Sequence, residues 1–194
     1  MDLGLKGKKA IVTGGTRGIG RAIANLLVEE GCDIGICART AGQIEEVVAA
    51  FKAKGVKAFG SAVDVAEGAQ LTSFVNSTAE ALGGLNIFIS NVSAMGAGND
   101  EASWKKGFEI EVVGPWRAYS GVKAAILPYI KSLARNLAPK NVRANVVSPG
   151  SVYFKGGVWD VMERKNSDRY RQALDRNPTG RMATPEEVAN AVVF

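Results

Sequence analysis

Short apolar runs alternate along this chain with longer stretches whose apolar residues return every three or four positions. Lys9–Thr13 predicts a first strand, and the helical spacing of Ile19, Ala22, Ile23, Leu26 and Leu27 predicts a helix after it. Asp33–Ala38 predicts a second strand, followed by a helix carrying Ile44, Val47, Val48 and Phe51 on one face. Lys57–Val63 is a third strand, Leu71, Phe74, Val75, Thr78 and Leu82 mark the next helix, and Leu85–Ser90 is a fourth strand. Three consecutive strand–helix–strand crossovers call for an α/β fold, a parallel sheet covered by helices. Further on, Tyr119 to Leu137 reads as one helix with Val122, Ile126, Ile130, Leu133 and Leu137 inward. Val142–Ser148 predicts another strand, ended by Pro149-Gly150. A last helix is expected to start at Thr184 as its cap, with Pro185 in the first position and Glu186-Glu187 at its positive end.

Composition narrows the function classes. The 194 residues, 46% hydrophobic and 22% charged, are those of a soluble globular protein, and no linker or repeat divides them, so residues 1–194 are expected to form one domain. No apolar run approaches the roughly 18 residues of a membrane span, and the N-terminus lacks a secretory layout, which points to the cytoplasm. There is no histidine, which excludes a Ser-His-Asp triad and the common His-based zinc sites. Cys32 and Cys37 flank one short apolar run and read as buried packing residues, so no metal is expected. The net charge of +5 is scattered apart from a modest cluster from Arg164 to Arg181. Without aromatic–basic interleaving it reads as solvated surface, not as a nucleic-acid face.

The segment Thr13-Gly14-Gly15-Thr16-Arg17-Gly18-Ile19-Gly20 joins the first strand to the first helix. A pyrophosphate must approach main-chain N–H groups at a helix N-terminus without interference from Cβ atoms, and Gly14, Gly18 and Gly20 allow it. No Gly-Lys-Ser/Thr follows, so this is not a P-loop. At the end of the second strand an acidic residue would accept hydrogen bonds from a ribose 2′-hydroxyl; Ala38-Arg39-Thr40 stands there instead. A guanidinium suits a 2′-phosphate, with Arg17 available as a second positive charge. Tyr119 and Lys123 lie one helical turn apart, on one helix face. A free phenol holds its proton to about pH 10, and a nearby ammonium lowers that value.

In this order the motifs resemble the short-chain dehydrogenase/reductase family, whose fingerprint is Thr-Gly-x-x-x-Gly-x-Gly. The likeness runs through Asp64-Val65, Asn91, Tyr119-x-x-x-Lys123, Pro149-Gly150 and the Gly180-Arg181…Pro185-Glu186-Glu187 stretch. It implies a Rossmann-type doubly wound parallel sheet in three αβα layers, and NADP as the cofactor. Gly14, Thr16, Arg17, Gly18, Ile19 and Gly20 would then hold the pyrophosphate and Arg39 the 2′-phosphate. Asp64 and Val65 would lie near the adenine, Asn91 near the adenosine ribose, and Pro149 and Gly150 beside the nicotinamide. Tyr119 would protonate a carbonyl oxygen as hydride arrives, and Lys123 would also hold the ribose. The activity implied is hydride transfer between NADP(H) and a small carbonyl or alcohol, in a homo-dimer or homo-tetramer. The alternative is a catalytically impaired dinucleotide-binding module.

Three departures from the family pattern stand out, and the last two support that alternative. Asn-Asn-Ala-Gly of the family appears as Ser90-Asn91-Val92-Ser93. Glu111 stands where the family has a catalytic asparagine, and a carboxylate cannot both donate and accept as an amide does. Between Ala94 and Ala118 the one hydroxyl is Ser103, which follows no strand, so the catalytic serine is missing. Family members carry about 30 more residues between Glu111 and Tyr119, roughly one supersecondary unit. The fifth strand therefore has no room, and the chain stops inside a helix before the family's last strand. Either segments of a longer chain are absent from this sequence near positions 112–116, or the chain is a deletion form with impaired activity; family-like residues kept up to the join favour the first. The segment Ser151–Arg181 is expected to cover the substrate, with Tyr153, Phe154, Val158 and Trp159 either as an apolar wall or packed on the core.

Overall fold

A computed structural model describes residues 3–92 and 121–194, with side chains of 121–126 excepted. Four strands, β1 (Lys9–Thr13), β2 (Asp33–Ala38), β3 (Ala58–Ala62) and β4 (Ile87–Ile89), form a parallel sheet in the order β3-β2-β1-β4. The helices α1 (Gly18–Glu29), α2 (Ala41–Ala53) and α3 (Gly68–Leu82) make the three crossovers. Strands β3 and β4 are shorter than the sequence pattern suggests, each losing residues at its ends. The chain then runs through α4 (Gly121–Leu137), a 3₁₀ turn at Ala138–Lys140, α5 (Val158–Arg164), α6 (Asp168–Asp175) and α7 (Pro185–Val193).

The chain falls into two compact units. One comprises Met1–Ala62, Val75–Asn91 and Ser148–Phe194, the other Val63–Phe74 and Val92–Val147. In the first unit the strands are apolar on both faces, as a parallel sheet covered by helices requires. Ala10, Val12, Ile34 and Ile36 share a buried cluster with Ile23 and Leu27 of α1, Val47 and Phe51 of α2, and Ala189 and Val193 of α7. The alternate residue Gly35 faces the other way, where a Cβ would stand 2.2 Å from Thr78 Cγ2 of α3. Helices therefore cover both faces, and the direction of winding reverses between β1 and β4. That reversal is where α/β sheets bind ligands, at the carboxyl ends of the strands.

Helix α7 begins as the sequence predicts. Thr184 Oγ1 accepts from the Glu187 N–H, the Glu187 carboxylate accepts from the Thr184 N–H, and Pro185 occupies the first turn. Both cysteines are buried and free. Burial pushes the Cys37 thiol up to about 11 and raises Cys32 as well, so neither is a thiolate near neutral pH.

The second unit departs from the sequence reading at one place. Along α4 the half-buried positions include Ile130, Leu133 and Leu137, as the periodicity predicts; Val122 and Ile126 lie outside the described side chains. The strand expected at Val142–Ser148 is not formed. Those residues make no ladder among the described residues, and Val142, Val146 and Val147 are exposed. A strand exists only where its N–H and C=O groups find a neighbour. Among the described residues none offers this segment such a neighbour.

Candidate active site

Thr13 ends β1 opposite Cys37 of β2, so the glycine turn and Arg39 leave the sheet on one edge. The Cys37 carbonyl accepts from the Gly14 N–H at 2.8 Å and the Gly15 N–H at 3.3 Å, which pins the turn to β2. From the other side, Thr13 Oγ1 donates to the Ile89 carbonyl of β4 at 3.4 Å and accepts from the Asn91 N–H at 3.0 Å. The Asn91 amide donates to the carbonyls of Thr13 at 3.0 Å and Gly14 at 3.5 Å. Asn91 is thus a brace across the switch point, with its amide nitrogen spent on the turn. The sequence puts Thr13 at the head of the glycine segment without a role for its side chain; the contacts with Ile89 and Asn91 supply one.

Close packing dictates Gly20, and a positive φ dictates Gly18. A Cβ on Gly20 would stand 2.3 Å from both the Asn91 amide nitrogen and the Gly14 carbonyl oxygen. Gly18 has φ +57°, and a Cβ there would stand 2.7 Å from the tip of the Phe154 ring. The first helical bond of α1 runs from the Arg21 N–H to the Arg17 carbonyl, leaving the N–H groups of Gly18, Ile19 and Gly20 without intrahelical partners. No side chain caps this end and no acid lies in its first turn, unlike the self-capped α7. Together with the dipole, these N–H groups fit an anion such as a pyrophosphate. Arg17 and Arg39 are exposed and in no ion pair among the described residues. Thr16 completes the turn, half-buried.

The remaining predicted residues fall differently. In the second unit, the Asp64 carboxylate accepts from the Ala66 N–H at 3.0 Å, shaping the turn into α3, and Val65 is buried. Pro149 and Gly150 are exposed. Tyr119, Glu111 and Ser103 lie outside the described residues; Lys123 falls in the first turn of α4, its side chain outside them. The four candidates for an apolar wall separate. Phe154 reaches the glycine turn, while Val158 is exposed. Tyr153 turns to a polar cluster, donating to Glu163 at 2.6 Å, with Asp160 at 3.3 Å. The bond to Glu163, with lesser contributions from burial and the acidic neighbours, pushes the Tyr153 phenol up to about 12. Tyr170, donating to the other Glu163 oxygen at 2.8 Å, is raised too. Neither phenol suits proton exchange at neutral pH. Asp160 is held below the usual carboxylate range, first by the Gly156 N–H and also by Arg164.

A parallel sheet with a glycine-lined, uncapped helix start at its switch point defines a dinucleotide-binding α/β protein. Comparison with known proteins makes this specific. Residues 8–118 match the family model described as short chain dehydrogenase, and residues 109–194 match one described as Enoyl-(Acyl carrier protein) reductase. The chain belongs to the short-chain dehydrogenase/reductase family. It is 32% identical to isoepoxydon dehydrogenase of Penicillium expansum over 231 aligned positions, covering 100% of this chain and 89% of the relative. That alignment is longer than the 194 residues present here, so the relative carries residues that this sequence lacks. L-sorbose reductase of Gluconobacter frateurii, solved with NADPH and L-sorbose, superposes with a TM-score of 0.85 at 26% identity, covering 100% of this chain and 91% of that one. A blue fluorescent protein from a metagenomic library, solved with NADPH, gives a TM-score of 0.88 at 25% identity, covering 98% and 90%. No helix among the described residues is long and apolar enough to cross a membrane, and no group of His, Cys, Asp or Glu among them suits a metal ion.

Proposed function

We propose that this chain is an NADP(H)-dependent oxidoreductase that interconverts a small carbonyl compound and its alcohol. The observation that carries this reading is the glycine turn, where three N–H groups at the start of α1 have no intrahelical partner, beside a second strand followed by Arg39 and by no acid. The two structural neighbours solved with NADPH support the same cofactor. Bound NADP(H) supplies or accepts the hydride. The N–H groups of Gly18, Ile19 and Gly20 hold the pyrophosphate, in a turn built by Gly14, Thr16 and Arg17. Arg39, with Arg17, pairs with the 2′-phosphate through charge-assisted hydrogen bonds. Asp64 and Val65 serve the adenine, and Pro149 and Gly150 the nicotinamide. Asn91 acts on the adenosine side chiefly by holding the turn.

In reduction the Tyr119 hydroxyl gives its proton to the substrate oxygen as the hydride reaches the carbonyl carbon; in oxidation its phenolate takes that proton back. Lys123 lowers the proton affinity of the phenol and holds the ribose. Tyr119→Phe is expected to bind NADPH nearly as wild type while turnover falls by about 10²–10⁴, the usual worth of a positioned acid–base group. Cofactor titration and steady-state rates on a carbonyl panel check this, and wild-type turnover in the variant would refute the mechanism. A second reading, a dinucleotide-binding module without turnover, is favoured by one observation. Residues 142–148 find no strand partner among the described residues, the result expected if the neighbouring strand and its serine are missing. Binding of NADPH without reduction of any carbonyl on the panel would select it.

A further inference from the structure

The ring of Phe154 stands where the phosphate turn opens. Its tip carbon lies 2.7 Å, and its two neighbours 2.9 and 3.1 Å, from the position a Cβ would take on Gly18. The phenyl group therefore fills the space beside the first residue of α1, whose N–H is one of the three without an intrahelical partner. A diphosphate that comes close to the backbone at this glycine needs the space a Cβ would take, and an apolar ring pressed on a dianion offers it no hydrogen bond. We propose that Phe154 is a gate on the glycine turn, which seals the turn in the free protein and swings off Gly18 to admit the diphosphate of the dinucleotide. The proposal rests on the dinucleotide-binding reading above.

The backbone on both sides of Phe154 is pinned, which confines the motion to the side chain. Before it, Val152 bridges Ala183, the Tyr153 N–H donates to the Ala183 carbonyl and the Ala183 N–H to the Ser151 carbonyl, both at 2.9 Å. After it, the Gly157 N–H donates to the Phe154 carbonyl at 3.0 Å, and the Gly156 N–H to the Asp160 carboxylate at 2.9 Å. This explains the work of the Tyr153–Asp160–Glu163 cluster: it anchors the turn from which the ring projects. Phe154 itself is only half-buried, its tip carbon lying between the Cβ positions of Gly18, at 2.7 Å, and Gly157, at 3.0 Å. Its own torsions, moving between staggered wells, are the moving part.

A side-chain gate has a kinetic signature that a fixed wall lacks. If the ring is seated about nine-tenths of the time, its removal raises the association rate and the affinity about tenfold, since both scale with the open fraction. Dissociation stays unchanged, because the ring has already left the bound complex. Stopped-flow measurement of NADPH fluorescence with the full chain compares wild type, Phe154→Ala and Phe154→Leu, the last keeping apolar bulk for the fold. Faster association in both variants with equal dissociation supports the gate. Binding of NADPH by the wild type with association unchanged or slower in the variants, or with faster dissociation alone, overturns the gate and leaves the cofactor assignment standing. Absence of NADPH binding in all three proteins overturns both.

Discussion

The proposed preference for NADP(H) rests on Arg39, an exposed guanidinium that forms no ion pair among the described residues. A charge-assisted pair to a 2′-phosphate is worth roughly 1.5–3 kcal/mol, about one to two decades in affinity. Wild type is therefore expected to bind NADPH more tightly than NADH, and Arg39→Asp to lose that preference, as titration with both cofactors would record. Equal affinities in the wild type would refute the assignment. Single residues also show where reading a sequence stops. The glycines of the turn were legible because a tight turn leaves few residue types. The groups that meet them, the Asn91 amide at Gly20 and the Phe154 ring at Gly18, come from positions 71 and 136 residues further along the chain. Likewise Tyr153 and Phe154, neighbours in sequence and alike in polarity pattern, take opposite tasks: one hydrogen-bonded to Glu163, the other set on the turn.

Among the elements, α7 was the most legible, since its cap is a local contract between Thr184 and Glu187. Glu187 carries a second load. Hydrogen bonds first from Arg181 and then from the Thr184 N–H hold its carboxyl down to about 2, from an ordinary value of 4.5. A carboxylate depressed on folding adds stability that is fully present above about pH 4.5 and is lost as pH falls towards about 2. Glu187→Gln, which keeps a capping acceptor, should therefore melt lower than wild type at neutral pH. The gap in Tm should close on acidification across that window, and an unchanged gap at pH 2–3 would contradict the assignment. Because both side chains are half-exposed, added salt should narrow the gap as well. The segment 142–148 fails where α7 succeeds. A helix closes its own hydrogen bonds, whereas a strand borrows them from a neighbour far away in sequence.

Assembly belongs to the whole molecule. Leu127 and Tyr129 of α4 are 46% and 52% exposed, and Pro128 between them is exposed too. The sequence reading adds Trp116, Ala124 and Ala125 to this outward face; they lie outside the described side chains. We expect a homo-dimer, or a homo-tetramer, because a large apolar surface of this kind is stabilised by a second copy. Sedimentation velocity over a range of concentrations tests it, and a monomer at every concentration would refute it.

Periodicity and turn chemistry in the sequence by themselves determined the alternation of strands and helices through β4, the helix covering Gly121–Leu137, the glycine turn and the start of α7. Each of these depends on which faces are apolar or on bonds made within a few residues, and both are written locally. Tertiary structure alone decided the sheet order β3-β2-β1-β4, which puts β4 beside β1 and so makes Asn91 a brace of the turn. It also decided that the valines of 142–147 stay exposed and that Phe154 meets Gly18. These outcomes depend on partners remote in sequence. Apolar pattern states that a residue seeks cover, and only the assembled chain supplies the atoms that cover it.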